Sequence, residues 1–110
     1  MSGAEPLLTE RARVVAQIEA LAKEFDGIVA AAELAATDDE HDPEGHTIAF
    51  ERQLVASLLT EARSQLRNLD DAIARVATGD YGLCESCGQP IGEERLAALP
   101  ATRTCIGCAH

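Results

Sequence analysis

Residues 48–76 read IAFERQLVASLLTEARSQLRNLDDAIARV, in which Ile48, Val55, Ala62, Leu69 and Val76 stand seven apart and Leu59, Leu66 and Ile73 fall between them. Apolar residues at alternating three- and four-residue steps lie along one side of an α-helix, and a pattern sustained over four heptads is that of a helix with one seam to cover. Arg52 is the single polar member of the series. A stripe this narrow is covered by a second helix, so the chain must supply a partner for it.

The partner lies upstream. Leu7, Val14, Ile18, Leu21, Phe25, Ile28, Ala32 and Ala35 repeat the spacing, with Arg11 as the one polar entry and Pro6 placed where a first helical turn tolerates it. Gly27 weakens the middle of this arm by about 1 kcal/mol relative to Ala. Arms of about thirty residues extend roughly 45 Å at 1.5 Å per residue. Between the two arms runs TDDEHDPEGHT, residues 37–47, where Pro43 and Gly45 interrupt the pattern and Asp42 or Thr47 is placed to cap the returning helix. The chain is therefore expected to reverse at 37–47 into an antiparallel hairpin within one molecule. An intermolecular bundle built on the same stripes is the alternative.

Gly79 ends the second arm, and Asp80 and Tyr81 lead without a flexible linker into CESCGQPIGEERLAALPATRTCIGC, residues 84–108, which hold every cysteine of the chain. The expected organisation is a hairpin over 1–78 and a module over 79–110, continuous with each other, with Tyr81, Leu83, Ile91, Leu96 and Leu99 forming a small core at the joint. Seventeen residues separate Cys84 and Cys87 from Cys105 and Cys108. This is the spacing of a four-cysteine zinc site, in which each Cys-x-x-Cys turn offers two thiolates to a tetrahedral ion and Gly88 and Gly107 leave the turns room to close. Four thiolates leave no open coordination position, so the expected cofactor is one structural Zn²⁺. A redox Cys-x-x-Cys carries one pair on a strand-to-helix turn of an α/β domain, and no sheet is expected here. The fold class is thus all-α: an antiparallel coiled-coil hairpin followed by a small four-cysteine zinc-finger module.

Composition narrows the partners. The 110 residues carry 19 Asp and Glu against 9 Lys and Arg, a formal charge of −10. That opposes phosphate-driven DNA or RNA binding, which relies on Lys and Arg to release counterions, and favours a basic protein surface. MSGAEPLLTE has neither the basic nor the apolar region of a secretory signal, and no run is long and apolar enough for a membrane span, so a soluble, cytoplasmic protein is expected, where thiols stay reduced and favour metal over disulfide. His41 and His46 stand among Asp38, Asp39, Glu40, Asp42 and Glu44, but their spacing fits neither a Cys/His zinc motif nor a calcium loop, and a solvated acidic loop is the expectation. No nucleophile triad or phosphate-binding glycine loop is present, so independent catalysis is not expected.

The run YGLCESCGQPIGEERLAALPATRTCIGC resembles the signature of the DksA/TraR family of zinc-finger transcription regulators. The likeness lies in Tyr81-Gly82, Cys87-Gly88, Pro90-Ile91, Arg95-Leu96, Pro100 and the final Cys-x-x-Cys, and DDEHDPEGHTIAFERQ is similar to the acidic tip and returning helix of its short, TraR-like members. The resemblance implies a protein that binds RNA polymerase rather than a DNA sequence, passes its coiled coil into the secondary channel, and modulates initiation; a hairpin that covers its own seam is expected to be a monomer. It implies a polymerase active-centre tip at Asp39, Asp42 and Glu44, with Arg52 and the nearby seam setting the tip's angle. Glu44 stands where the family's Asp-x-x-Asp-x-Ala pattern has its alanine. Family members that respond to the alarmone ppGpp use a basic residue where this chain has Leu99, together with a C-terminal helix, so a nucleotide site is not expected. Two other readings stay open: a factor that assists transcript cleavage in the manner of the Gre proteins, and a zinc-capped coiled-coil scaffold.

Overall fold

The computed structural model describes residues 4–36 and 43–109, with side chains described outside 35, 36 and 43–46. Among these residues the elements are helix α1 (Ala4–Ala36), helix α2 (Pro43–Thr78) and the short helix α3 (Glu93–Ala98). Strands are absent among the described residues, and one isolated antiparallel bridge joins Leu83 to Pro90. The fold is a helical hairpin followed by a four-cysteine cluster.

Pro6 falls in the first turn of α1, where backbone N–H groups have no intrahelical acceptor, and Glu5 sets a negative charge against the positive helix end. Pro43 and Gly45, expected to interrupt the pattern, lie inside the first turn of α2. Proline is preorganised for that position, so the residue that forbids an earlier helix also starts the next one. At the other end Gly79 takes φ +85°, and the N–H groups of Asp80 and Tyr81 turn back onto the Arg75 carbonyl at 2.9 and 3.1 Å. A side chain at that φ is strained, which is why glycine stops α2 here.

The chain divides into two compact units, residues 15–64 and residues 1–14 with 65–110. In 15–64 the core is the helical seam alone. Leu21, Val55, Leu59 and Ala62 are buried, and Ile18, Ala22, Phe25 and Ile28 pack against them. Phe50 and Leu54 stand off the seam and are exposed, as is Arg52.

In the unit of 1–14 and 65–110, Leu7 and Val14 of α1 and Leu69 and Ala72 of α2 are buried, joined by Cys84 and Ile91 of the segment after α2. Burying a leucine fully contributes about 1.5–3 kcal/mol. Arg11, the polar residue of the first stripe, bonds through Nε to the Asp70 carboxylate at 2.6 Å, and Gln65 of α2 donates to Glu10 of α1 at 3.3 Å. The joint core differs in part from expectation. Ile91 is buried and Tyr81 and Leu96 are half-buried, whereas Leu83 and Leu99 are exposed, and Ala72, one step off the heptad series, is fully buried. The stripe continues into this unit, but the neighbours that cover it include a non-helical segment, so strict heptad positions no longer decide burial.

Candidate metal centre

Cys84 and Cys87 sit on a turn built by the backbone. The Cys84 N–H donates to the Gln89 carbonyl at 2.8 Å, and the Gly88 N–H returns to the Cys84 carbonyl at 2.8 Å. Gly88 takes φ +77°, the conformation that lets this turn close. Ile91 N–H to the Gly82 carbonyl at 2.7 Å anchors the turn at its base. The second turn is equivalent: Cys108 N–H and Ala109 N–H both donate to the Cys105 carbonyl at 3.0 Å. A single backbone bond, Glu85 N–H to the Arg103 carbonyl at 2.9 Å, ties one turn to the other.

The four sulfurs of Cys84, Cys87, Cys105 and Cys108 lie within 4.8 Å of one another. The Sγ atoms of Cys87 and Cys105 are 3.8 Å apart. A disulfide holds its sulfurs about 2.05 Å apart. A zinc ion with four Zn–S bonds of about 2.3 Å has sulfurs about 3.8 Å apart at the tetrahedral edge. The donor set is that of a closed thiolate site, and it suits one structural zinc. Among the described residues no other group of three or more His, Cys, Asp or Glu side chains converges in this way.

Crowding four thiols also separates their acidities. Backbone N–H groups of Cys105 and Cys87 turn toward the Cys84 sulfur and bring its pKa down to about 6. Cys108 is pushed up to about 12, first by its hydrogen bond to the Cys105 sulfur and then by those to Cys84 and Cys87. At Cys87 the Gln89 N–H favours the thiolate, but the Cys84 sulfur and loss of solvent outweigh it and the thiol is raised. Such a cluster holds one ready thiolate and resists losing its remaining protons until a cation shares the charge.

Around the sulfurs, polar contacts close the module on itself and hold it to α2. The Tyr81 hydroxyl donates to the Pro100 carbonyl at 2.9 Å, and burial raises its pKa. Arg75 reaches the Thr102 carbonyl at 3.5 Å, and Arg103 pairs with Asp71. Sequence reasoning identified the cysteines and Tyr81 but gave Asp71 and Thr102 no part. The signal available was the basic spacing itself: Arg75, Arg95 and Arg103 cluster around the cysteine pairs in a chain that is acidic overall. Of the sequence-predicted tip, Asp39 and Asp42 lie outside the described residues, as does His41; Glu44 and His46 fall in the first turn of α2 with their side chains outside the description.

Comparison with known proteins agrees with this geometry. The family model for the prokaryotic dksA/traR C4-type zinc finger matches residues 79–110. An uncharacterized protein of Aquifex aeolicus is 39% identical over 63 residues, which cover 57% of this chain and 43% of that protein. The RNA polymerase-binding transcription factor DksA of Escherichia coli K12 is 39% identical over 46 residues, 42% of this chain and 30% of DksA. The chain therefore spans less than half the length of these curated relatives. The solved structure of transcription factor DksA2 from Pseudomonas aeruginosa superposes with a TM-score of 0.79 at 28% identity, over 96% of this chain and 75% of that one. Residues 79–110 are thus a C4-type zinc finger of the prokaryotic dksA/traR kind, and the chain as a whole is similar in sequence and fold to DksA-type proteins.

Proposed function

We propose that the protein is a transcription regulator that binds RNA polymerase and acts by placing its hairpin tip in the secondary channel, without catalysis of its own. Residues 79–110 form the finger, in which Cys84, Cys87, Cys105 and Cys108 hold one structural zinc, and residues 1–78 form the hairpin it carries. Asp39, Asp42 and Glu44 meet the polymerase active centre, and Arg52 sets the angle at which they arrive. The observation that carries the reading is the likeness to DksA2 over hairpin and finger together, at 96% of this chain. The charge of −10 favours the basic surroundings of a nucleotide-handling centre and opposes direct DNA binding. Among the described residues no helix is long and apolar enough to cross a membrane; the reading itself places the protein beside polymerase in the cytoplasm, as a monomer.

The test uses zinc-loaded chain and RNA polymerase from the same source. Native protein is expected to co-purify with polymerase and to alter promoter-complex lifetime, and a crosslinker at position 39 is expected to reach the active-centre walls of the channel. Asp39→Asn with Asp42→Asn is expected to keep binding and lose the transcriptional effect. Stimulated cleavage of stalled transcripts would instead mark a Gre-like assistant, and a stable dimer with no affinity for polymerase would mark a scaffold.

A further inference from the structure

Between the two cysteine pairs the chain makes a short helix that contributes no ligand. Helix α3 has six residues, none of them buried, and its Gly92 N-cap offers no side-chain bond. A helix this short is not stable in water without outside support. Leu96 gives some, lying close to Gly82. The stronger ties come from Arg95. Its Nε donates to the Thr104 carbonyl at 2.9 Å, and its terminal nitrogen reaches the Thr102 hydroxyl at 3.4 Å. The same hydroxyl donates to the Thr104 carbonyl at 3.2 Å, so guanidinium, hydroxyl and carbonyl form a closed triangle on the residues that lead into Cys105.

Those residues, Thr102 to Thr104, are held from three directions. Arg95 holds them from α3, Arg75 and Asp71 from α2, and the Glu85 N–H from the first cysteine turn. Of these three, Arg95 alone reaches the carbonyl of Thr104, the residue next to Cys105. Arg95 and Cys105 also line one recess of about 540 Å³ beside Pro90 and Ile106. A metal site whose ligands come from two separate turns holds its ion tightly only when those turns stand in register, and losing a group that orients the ligands typically costs about 10–100-fold in affinity.

We propose that Arg95 is a positioning residue for the metal: its two-pronged grip on Thr102 and Thr104 sets Cys105 and Cys108 in register with Cys84 and Cys87. This rests on the reading of those four cysteines as zinc ligands. The guanidinium acts through geometry, since its rigid planar fork presents Nε and a terminal nitrogen to the two acceptors at once.

The test is metal affinity of the full reduced chain, measured with Zn²⁺ against a chromophoric chelator, together with the visible absorption of the Co²⁺-substituted protein, which reports ligand geometry. Arg95→Met keeps the stem and removes the donors, and is expected to weaken zinc by about 10–100-fold and to shift the Co²⁺ bands. Arg95→Lys keeps the charge but not the planar fork, and is expected to fall between. Arg63→Met, on an exposed face of α2, is expected to match native protein in both readouts. Native affinity and native Co²⁺ bands in Arg95→Met overturn the proposal. So does a lysine variant equal to native, which would assign the effect to charge alone; this comparison stands even if the methionine variant loses its fold. Failure of native protein to take up Zn²⁺ or Co²⁺ would sink the zinc reading itself, a result separable from any difference among variants.

Discussion

Residues 15–64 and the unit made of 1–14 and 65–110 are built from the same two helices by different means. The first buries Leu21, Val55, Leu59 and Ala62 along a seam and, among the described residues, contains none of the ion pairs. The second buries a similar handful of apolar side chains but adds Arg11–Asp70, Arg103–Asp71, the Tyr81 bond to Pro100 and the four-sulfur cluster. The difference follows from secondary structure. Paired helices satisfy their own backbone and need only side-chain packing between them. The segment after Gly79 has few repetitive bonds and a small apolar core, so polar ties and a metal take over the work of fixing it.

Removing the metal should separate the two most widely. Binding of a structural zinc contributes on the order of 10–16 kcal/mol in small peptides, and among the described residues of 79–109 the buried apolar side chains are Cys84 and Ile91. Treating reduced protein with a strong chelator is expected to abolish the near-ultraviolet signal of Tyr81, the only tyrosine in a chain without tryptophan. Most of the helical far-ultraviolet signal should remain, because the 15–64 seam contains no cysteine. Parallel collapse of both signals would mean that the hairpin does not hold without the finger, and the contrast between the units would fail.

Core truncation tests the other side. Leu59→Ala in 15–64 and Leu69→Ala in the second unit each remove a side chain exposed by 6% or less, with an expected cost of about 2–5 kcal/mol. Thermal melts followed at 222 nm should show both losses in zinc-free protein. In zinc-loaded protein the Leu69 variant should keep its Tyr81 signal to higher temperature than its helix signal, while the Leu59 variant shows the same melt with and without metal. Equal metal protection of the two variants would show that the seam and the finger melt as one.

What could be read in advance follows the same division. Heptad spacing marked Leu7, Val14, Leu21, Val55, Leu59, Ala62 and Leu69, because a helix maps sequence spacing directly onto a face. The cysteine spacing marked the sulfur cluster because two Cys-x-x-Cys turns admit few geometries. The burial of Ala72, the exposure of Leu83 and Leu99, and the arginine ties to Thr102, Thr104 and Asp71 were not legible. They depend on where an irregular segment lies against α2, and no period in the sequence encodes that placement. Pro43 left the start of α2 open between Asp42 and Thr47 for a related reason, since proline excludes a helix interior but favours its first residue, and spacing alone does not say which side of a boundary it occupies.

The acidity of the cluster gives a pH dependence confined to the second unit. Near neutrality Cys84, with a pKa of about 6, is already ionised, whereas Cys108, at about 12, and the raised Cys87 still carry protons. Zinc must displace those protons, so loading should acidify a weakly buffered solution. Apparent affinity should fall about tenfold per pH unit for each proton displaced, and more steeply below about pH 6, where Cys84 is protonated as well. Titration of zinc into the protein at several pH values measures the slope. An affinity independent of pH between 6 and 8 would show thiolates already formed in the metal-free cluster. The melt of 15–64 should not change over this range.

The smallest expected effect concerns the two polar residues that interrupt the heptad series, one in each unit. Arg11 has found a carboxylate, and its hydrogen bond to Asp70 raises its pKa, yet the two side chains keep 41% and 49% of their surface in water. An ion pair so exposed is weakened by solvent and by salt, whose screening length falls to about 3 Å at 1 M. Asp70→Asn keeps a hydrogen-bond acceptor and removes only the charge. It is expected to lower the thermal midpoint less than either leucine change, with the deficit gone in 1 M salt. Arg52→Gln in the other unit replaces an exposed side chain and is expected to leave the midpoint where it was at any salt. If Asp70→Asn lost as much as Leu69→Ala, or its deficit survived high salt, the pair would be setting the register of α1 on α2 rather than tolerating a polar position in the seam. The second unit would then owe its alignment to charge as well as to metal.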